Sequence, residues 1–517
     1  MKKYGLVLSF VLALALVLPL TVSAALPGTG WQTSYQVMNI GSTDGIFSMQ
    51  AFPLTGDATA AIPSANFTFS PYEALSYSPG KATTYPAGPD INFSSPLPAG
   101  FQGSVVVAAN VPVASAVTLA NTGVTGGTSR SRYAAISAAN LAKEILFPVV
   151  KHNYTGQTTT FYIQAAGESA SVTMTYSMNN GSTYTQTQAI DANKTFIFDP
   201  QSAGVPSTSC GNDGNISPCF GAAKAVSTTG NIAGVIVESP HATSPAPFVL
   251  STRGLTAADL GSKLYAPGVK NAYIGANAGL TVMNTAASGN ALVNYTLTVN
   301  NVQAGSPAAV AGVVPGQTFT GQVEVAPGKS FIIGPYTTNM GGMPAGTYAS
   351  IVVESIADGS HEVKQLAGTV NEAKNASIVG GKAKAVYFSF NPANATGNLA
   401  CPVVKENVYN QTGGMTVVNL GNSPATLKFD YVVYGSTTYT FWTSQPVQPG
   451  AGVSTNSVSL NPGGRFTNDG SWAFSELAGK TFSVRVYSDS STPIVALSQE
   501  ADKSFTNDIR NYECINY

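Results

Sequence analysis

One phrase recurs in this chain at domain-length intervals. ANLAKEILFPVVK at 139–151 returns as ADLGSKLYAPGVK at 258–270 and, more loosely, as ANATGNLACPVVK at 393–405. The shared frame is A-[ND]-x4-[IL]-x2-P-x-V-K, and the spacing downstream is kept as well. Seventeen residues after each proline (Pro148, Pro267, Pro402) the same position of an alternating apolar run follows, at Ala165, Asn284 and Asn419. From Lys151 to Lys270 to Lys405 the period is 119 and then 135 residues, too long for a solenoid and right for a whole domain. A fourth copy of the run, QVMNIG around Asn39, has no phrase before it. The first unit therefore begins where the phrase would end.

Other landmarks keep step. A turn leads into a strand at NKTFIF (193–198), GKSFII (328–333) and GGRFTN (463–468). Late in each unit come PAGFQGSVVV (98–107), IAGVIVES (232–239), PAGTYASIVVES (344–355) and LAGKTFSVRVYS (477–488), the second of them divergent in spacing. Short runs rich in Val, Thr, Tyr and Phe alternate apolar and polar residues between Gly, Pro, Asn and Ser. That is the pattern of strands with one wet face. The expected fold is all-β: four tandem antiparallel β-sandwiches of immunoglobulin-like type at 25–125, 147–252, 265–370 and 401–517. Joints at 126–146, 253–264 and 371–400 carry short helical turns, which Pro148 and Pro267 end, since proline has no N–H and forces its predecessor into extended geometry. A repeated joint sets a repeated angle, so four beads in line are expected.

The compartment is read from residues 1–24. Lys2 and Lys3, an apolar core from Leu6 to about Leu20, and Val22-Ser23-Ala24 make a secretory signal peptide cut after Ala24. No later run is long and apolar enough to span a membrane. Charged residues are only 9% of the chain and the net charge is −1, which supplies no basic field for nucleic acid and leaves surfaces that associate readily. Leu26-Pro27-Gly28-Thr29-Gly30 matches the LPxTG sorting signal. It lies directly behind the signal peptide rather than before a terminal apolar tail, and is set aside.

Reactive groups are scarce. The chain has 4 cysteines and 3 histidines. Cys210 with Cys219, and Cys401 with Cys514, are the economical disulfides of an exported chain; Cys514 as a cross-link to a second subunit is the alternative. No C-x2-C pair exists for a metal. His152, His241 and His361 fall in different repeats and read as surface residues, so no catalytic group, metal or cofactor is assigned. Glu238 and Glu354 stand at equivalent strand ends and serve the fold. Asp213-Gly214-Asn215 and Asn468-Asp469-Gly470 are turns rather than calcium loops. Ten N-x-[ST] sequons, at Asn66, Asn92, Asn153, Asn180, Asn193, Asn215, Asn294, Asn375, Asn394 and Asn410, allow glycosylation.

Signal peptide, tandem sandwiches, low charge and absent chemistry together resemble the immunoglobulin-like repeat proteins of prokaryotic cell surfaces: S-layer subunits, adhesin stalks, and filament or sheath components. The resemblance implies a secreted, non-enzymatic structural protein at the cell surface. Its partners would be further copies of itself, in a polymer or lattice, or envelope polysaccharide. An adhesin or carbohydrate-binding protein, using the Cys210–Cys219 loop of the second domain, is the alternative.

Overall fold

The computed structural model describes residues 30–79, 91–121, 129–241, 248–374, 384–406, 408, 411–434, 439–443, 452–454, 479–488, 491–502 and 509–517. They fold as antiparallel strands with a few helical turns. The first set is β1 (Trp31–Asn39), β2 (Gly45–Pro53), β3 (Ile62–Pro63), β4 (Phe67–Phe69), β5 (Ala74–Tyr77), β6 (Gly103–Ala109), β7 (Val113–Asn121) and β8 (Ser129–Ala134). The second is β9 (Glu144–Tyr154), β10 (Gln157–Ala165), β11 (Ala170–Met178), β12 (Thr183–Ile190), β13 (Thr195–Phe198), β14 (Phe220–Ser227), β15 (Ile232–Pro240) and β16 (Leu250–Arg253). The third is β17 (Lys263–Tyr273), β18 (Ala276–Asn284), β19 (Ala291–Val302), β20 (Thr318–Val325), β21 (Ser330–Ile333), β22 (Thr347–Ile356), β23 (Leu366–Lys374) and β24 (Lys384–Phe388). The last is β25 (Asn398–Glu406), β26 (Gln411–Asn419), β27 (Leu427–Val433), β28 (Tyr439–Thr443), β29 (Gly452–Ser454), β30 (Lys480–Ser488), β31 (Ile494–Asp502), β32 (Ile509–Glu513) and β33 (Ile515–Asn516).

Each set builds two facing sheets around its own apolar core. In the second set one sheet runs β12-β11-β14-β9 and the other has β13 and β15 on either side of β10, with β16 beyond β15. The third and fourth sets repeat this order. Alternation explains it: in β11, ASVTMTYSM, every second residue is buried and those between are half-exposed. The pairs β10 with β13 and β11 with β14 are those an immunoglobulin sandwich makes between its B and E and its C and F strands. The outer strands differ from that order. The seventh strand, β15, joins β10 rather than β14, and the first, β9, takes the place beside β14.

The repeated phrase is more than a joint. Its opening residues make 3-10 turns at Ala138–Asn140, Ala257–Asp259 and Pro392–Asn394, as the sequence leads one to expect. Its remainder is the first strand of each sandwich, β9, β17 and β25. These strands start against β14, β22 and β30, and each ladder slips at the proline, between Gly221 and Ala223, Ala266 and Val269, and Cys401 and Val404 on the strands concerned. A bulge is where a strand tolerates a residue with no N–H. Past the bulge β9 pairs with β10 of the opposite sheet. The proline therefore marks a bulge beyond which the strand keeps its first partner and, in β9 and β17, also pairs with the opposite sheet.

Three expectations are corrected. The joints 126–146 and 371–400 contain β8 and β24, final strands that pair with β7 and β23; the charges of SRSRYA hide the first of them. IAGVIVES is the seventh strand, β15, and the counterpart of β6, β22 and β30 is β14, so the second repeat is not divergent there. The strand sets do not lie in line. Their final strands β8, β16, β24 and β32 touch in a closed cycle, each meeting the next and β32 returning to β8. Apolar packing follows it: Met38, Ala74 and Ala114 of the first set share a cluster with Ala400 and Tyr434 of the fourth.

Candidate functional site

Two features fall outside ordinary sandwich packing: the charged groups around the cycle of final strands and, among the described residues, an uncovered strand edge in the first sandwich.

The lysine that ends each phrase points at a glutamate on the seventh strand. Lys151 Nζ lies 2.8 Å from Glu238 Oε1, Lys270 pairs with Glu372, and Lys405 Nζ lies 3.5 Å from Glu500 Oε1. The register is common to all, since Glu238 faces Thr159, Glu372 faces Ala278 and Glu500 faces Gly413 on the neighbouring strand. Each glutamate gives its other oxygen to the following set. Asn371 Nδ2 donates to Glu238 Oε2 at 3.4 Å, Asn511 Nδ2 to Glu372 Oε2 at 3.0 Å, and Arg132 Nη1 to Glu500 Oε2 at 2.8 Å. The last of these closes the cycle from the fourth set to the first. The corresponding position in the first set, facing Thr33, is Leu119.

Burial governs the chemistry here. Glu500 would be raised by burial, but Arg132, Arg510 and Lys405 outweigh it and hold the carboxylate well below its usual range. Burial, only partly offset by Glu500, brings Lys405 down to about 7. Arg253 forks onto Asp259 at 2.8 and 2.6 Å and lies 4.1 Å over the Phe388 ring of the third set. Glu513, buried and accepting the Phe388 N–H, is pushed up to about 7 by desolvation. The folded protein thus keeps a proton on Glu513 that the unfolded chain releases from about pH 4.5 upward. Stability from this group is fully present below pH 4.5 and is lost as pH rises to about 7, by about 3 kcal/mol. Urea midpoints at the two pH values, compared with those of Glu513→Gln, check it: the variant lacks that part of the slope.

The uncovered edge follows from the missing phrase. β6 is the counterpart of β14, β22 and β30, each of which has the crossing strand on its second side. Among the described residues β6 pairs with β2 alone. None of its residues is buried, whereas β14, β22 and β30 bury more than half of theirs. Val105 and Val107 are only partly covered, and Val106 is 39% exposed. β6 borders a cleft of about 2000 Å³ that runs between the first sandwich and the other three, reaching Tyr162, Phe388 and Glu513; Tyr35, Tyr77, Phe101, Val105, Val107 and Val117 form its apolar wall on this side. Asn110 N–H bonds Ile46 O beyond the end of the β2 ladder. By antiparallel alternation the backbone groups of Val105 and Val107 then face the open side.

The residues singled out in the sequence are dispersed. Cys210–Cys219 and Cys401–Cys514 are bonded, with Cα separations of 5.1 and 4.7 Å. Cys514 is thus closed within the chain in this structure. His152 is a correction: it is 4% exposed, not a surface residue. Its Nδ1 lies 2.6 Å from Val205 O, and a nitrogen facing a carbonyl carries the proton. The His241 ring meets it edge to face with centroids 5.6 Å apart, contacts Thr158, and is lowered by burial and then by His152. His361 stands apart, raised by Asp358 and Glu324 despite some desolvation. Glu354 is on β22, half-exposed beside Lys263, and is not the counterpart of Glu238; Glu372 and Glu500 are. Among the sequons, Asn66, Asn92, Asn180, Asn294 and Asn394 are exposed. Asn153, Asn193 and Asn215 use their side chains on Ser207 O, Gly167 N and Ile332 N. Asn375, Asn410 and the turn 468–470 lie outside the described residues, as does 1–29. Among the described residues no group of histidine, cysteine and carboxylate side chains could hold a metal, and no helix is long and apolar enough to cross a membrane.

The Lys–Glu pairs and Leu119 went unseen in the sequence because the strand holding Glu238 was aligned with the wrong strand of the other repeats. The frame x-E-[AS] shared by β15, β23 and β31 was the available signal.

No family model matches the sequence, and no curated protein does. A solved structure of a tetra-tandem repeat in the extending region of a large adhesion protein aligns over 93% of this chain and 94% of its own, at 12% identity. The TM-score is 0.11, so the two do not superpose and nothing is carried over.

Proposed function

We propose that this chain is a secreted structural subunit of the cell surface, built of four immunoglobulin-related sandwiches and assembling with further copies of itself. The observation that carries the reading is the use made of buried charge. Glu238, Glu372 and Glu500 each bind a lysine of their own sandwich and a side chain of the next. Interior ionic groups are spent on locking sandwiches into one rigid block. Two disulfides fit an oxidising compartment, and the low charge leaves little repulsion between copies.

A second reading, recognition of a glycan by the Cys210–Cys219 loop, is favoured by Ile216, which is 70% exposed at its tip. The same loop is engaged in the interior, since Asn215 Oδ1 accepts the Ile332 N–H of the third sandwich at 2.8 Å. Size-exclusion and negative-stain imaging of residues 25–517 separate the two. Ordered polymers are expected. A monodisperse monomer retained on glycan beads would replace the structural reading with the binding one.

A further inference from the structure

We propose that the cleft beside β6 is an acceptor for an extended strand of a second copy of this chain, added in the place that β9, β17 and β25 fill in the other sandwiches. The proposal rests on the self-assembling reading above and specifies the contact through which copies join.

The place is that of a complete strand. β1 and β10 are both nine residues long, and their partners Thr33↔Leu119 and Thr159↔Glu238 are in the same register. Gly30, just before β1, has φ 83°, as Gly156 and Gly275 before β10 and β18 have 74° and 73°. These left-handed glycines form the tight turns by which the crossing strands enter the second ones. Counted back from that turn, the residues matching Glu144–Tyr154 are 18–28. On the secreted reading, cleavage after Ala24 cuts through them. It leaves Ala25–Gly28 ahead of the turn, against the eleven residues of β9.

The chain's own leader is also the wrong chemistry for the place. The core positions of the crossing strand are Ile145, Phe147 and Val150 in the second sandwich, Leu264, Ala266 and Val269 in the third, and Leu399, Cys401 and Val404 in the fourth. In the same register residues 1–29 supply Pro19, Thr21 and Ala24, which do not fill an apolar core. What the cleft presents, among the described residues, is an unpaired strand edge over apolar side chains, with Leu119 where the other sandwiches have a glutamate. It therefore takes an uncharged extended segment by main-chain hydrogen bonds and alternate apolar side chains. This chain is rich in such segments, and its net charge of −1 does not oppose the meeting of two copies.

Two variants of the mature full chain test it. The first carries a photo-crosslinking residue at Val106. The second is Val107→Pro, which removes an N–H on the open side without touching the β2 ladder. Polymers cross-linked between copies through position 106 are expected, with at least a tenfold loss of polymer in Val107→Pro. The same loss is expected on adding excess synthetic peptide ILFPVV, the uncharged stretch 145–150 of β9, to the unaltered chain. The peptide arm decides the matter if Val107→Pro does not fold. Cross-links confined to one chain, including to retained residues 18–24, overturn the proposal. Polymers indifferent to both peptide and proline overturn it too, while leaving the structural role standing. A monomer that never assembles overturns both.

Discussion

Replacing Glu500 by glutamine will cost on the order of 3–5 kcal/mol, because it leaves buried cations without their counter-charge. Arg132 and Arg510, each with a side chain 2% exposed, both bond this carboxylate, and Lys405 lies beside it. The loss is expected at the junction of the first and fourth sandwiches. Denaturant midpoints should fall, and amide exchange in β8 and β32 should quicken before that in β18 or β19. Adding Arg132→Met to Glu500→Gln removes one orphaned charge and should recover part of the loss, since a buried pair replaced as a whole by apolar groups is often near neutral. Glu354→Gln is the contrast. Its partner Lys263 is 3.5 Å away with both side chains 40–50% exposed, and less than about 1 kcal/mol is expected. Equal effects of Glu500→Gln and Glu354→Gln would show that the cycle of contacts does not hold the protein together.

Opening Cys401–Cys514 should cost nearly as much. It closes a separation of 113 residues, against 9 for Cys210–Cys219, and the chain-entropy relation gives about 5 and about 2.5 kcal/mol respectively. Taken as four beads, the chain would confine that loss to the last bead. The folded arrangement predicts otherwise. Glu513, next to Cys514, accepts the Phe388 N–H of the third sandwich, and Ile515 of β33 pairs with Ala400 of β25. In Cys514→Ser, exchange should therefore quicken in β24 as well as in β25 and β32. A change restricted to residues 401–517 would show that the sandwiches are thermally independent.

How legible this was can be judged strand by strand. Alternation in SVTMTYSM and NYTLTVN announces strands, and the sequence recurrence announces the repeats, because the same core positions must be filled each time. Pro148 and Pro267 read as helix stops, though each sits, like Pro402, at a strand bulge; a missing N–H looks the same in one dimension for both. The final strands were hidden for a different reason. Arg132 and Arg510 are among the largest fully buried side chains, and a strand bearing arginine looks like a solvated linker until its carboxylate partner, far away in sequence, is known. The open cleft is half visible, since no phrase precedes Asn39, while the consequence for β6 needs the strand order. Nothing in the sequence indicated that the fourth repeat returns to the first.

That return has a kinetic side. Arg132 and Glu500 are 368 residues apart, so a chain made from its N-terminal end exposes Arg132 long before the carboxylate that will neutralise it. The middle sandwiches have their lysine and glutamate within 87 and 102 residues of each other and can condense as they emerge. The first cannot, and contacts of such sequence separation are the slow ones to form. Synthesis therefore delivers two finished sandwiches and a waiting one. The last stretch of the polypeptide acts as a timer that keeps the block from becoming whole until the chain is complete.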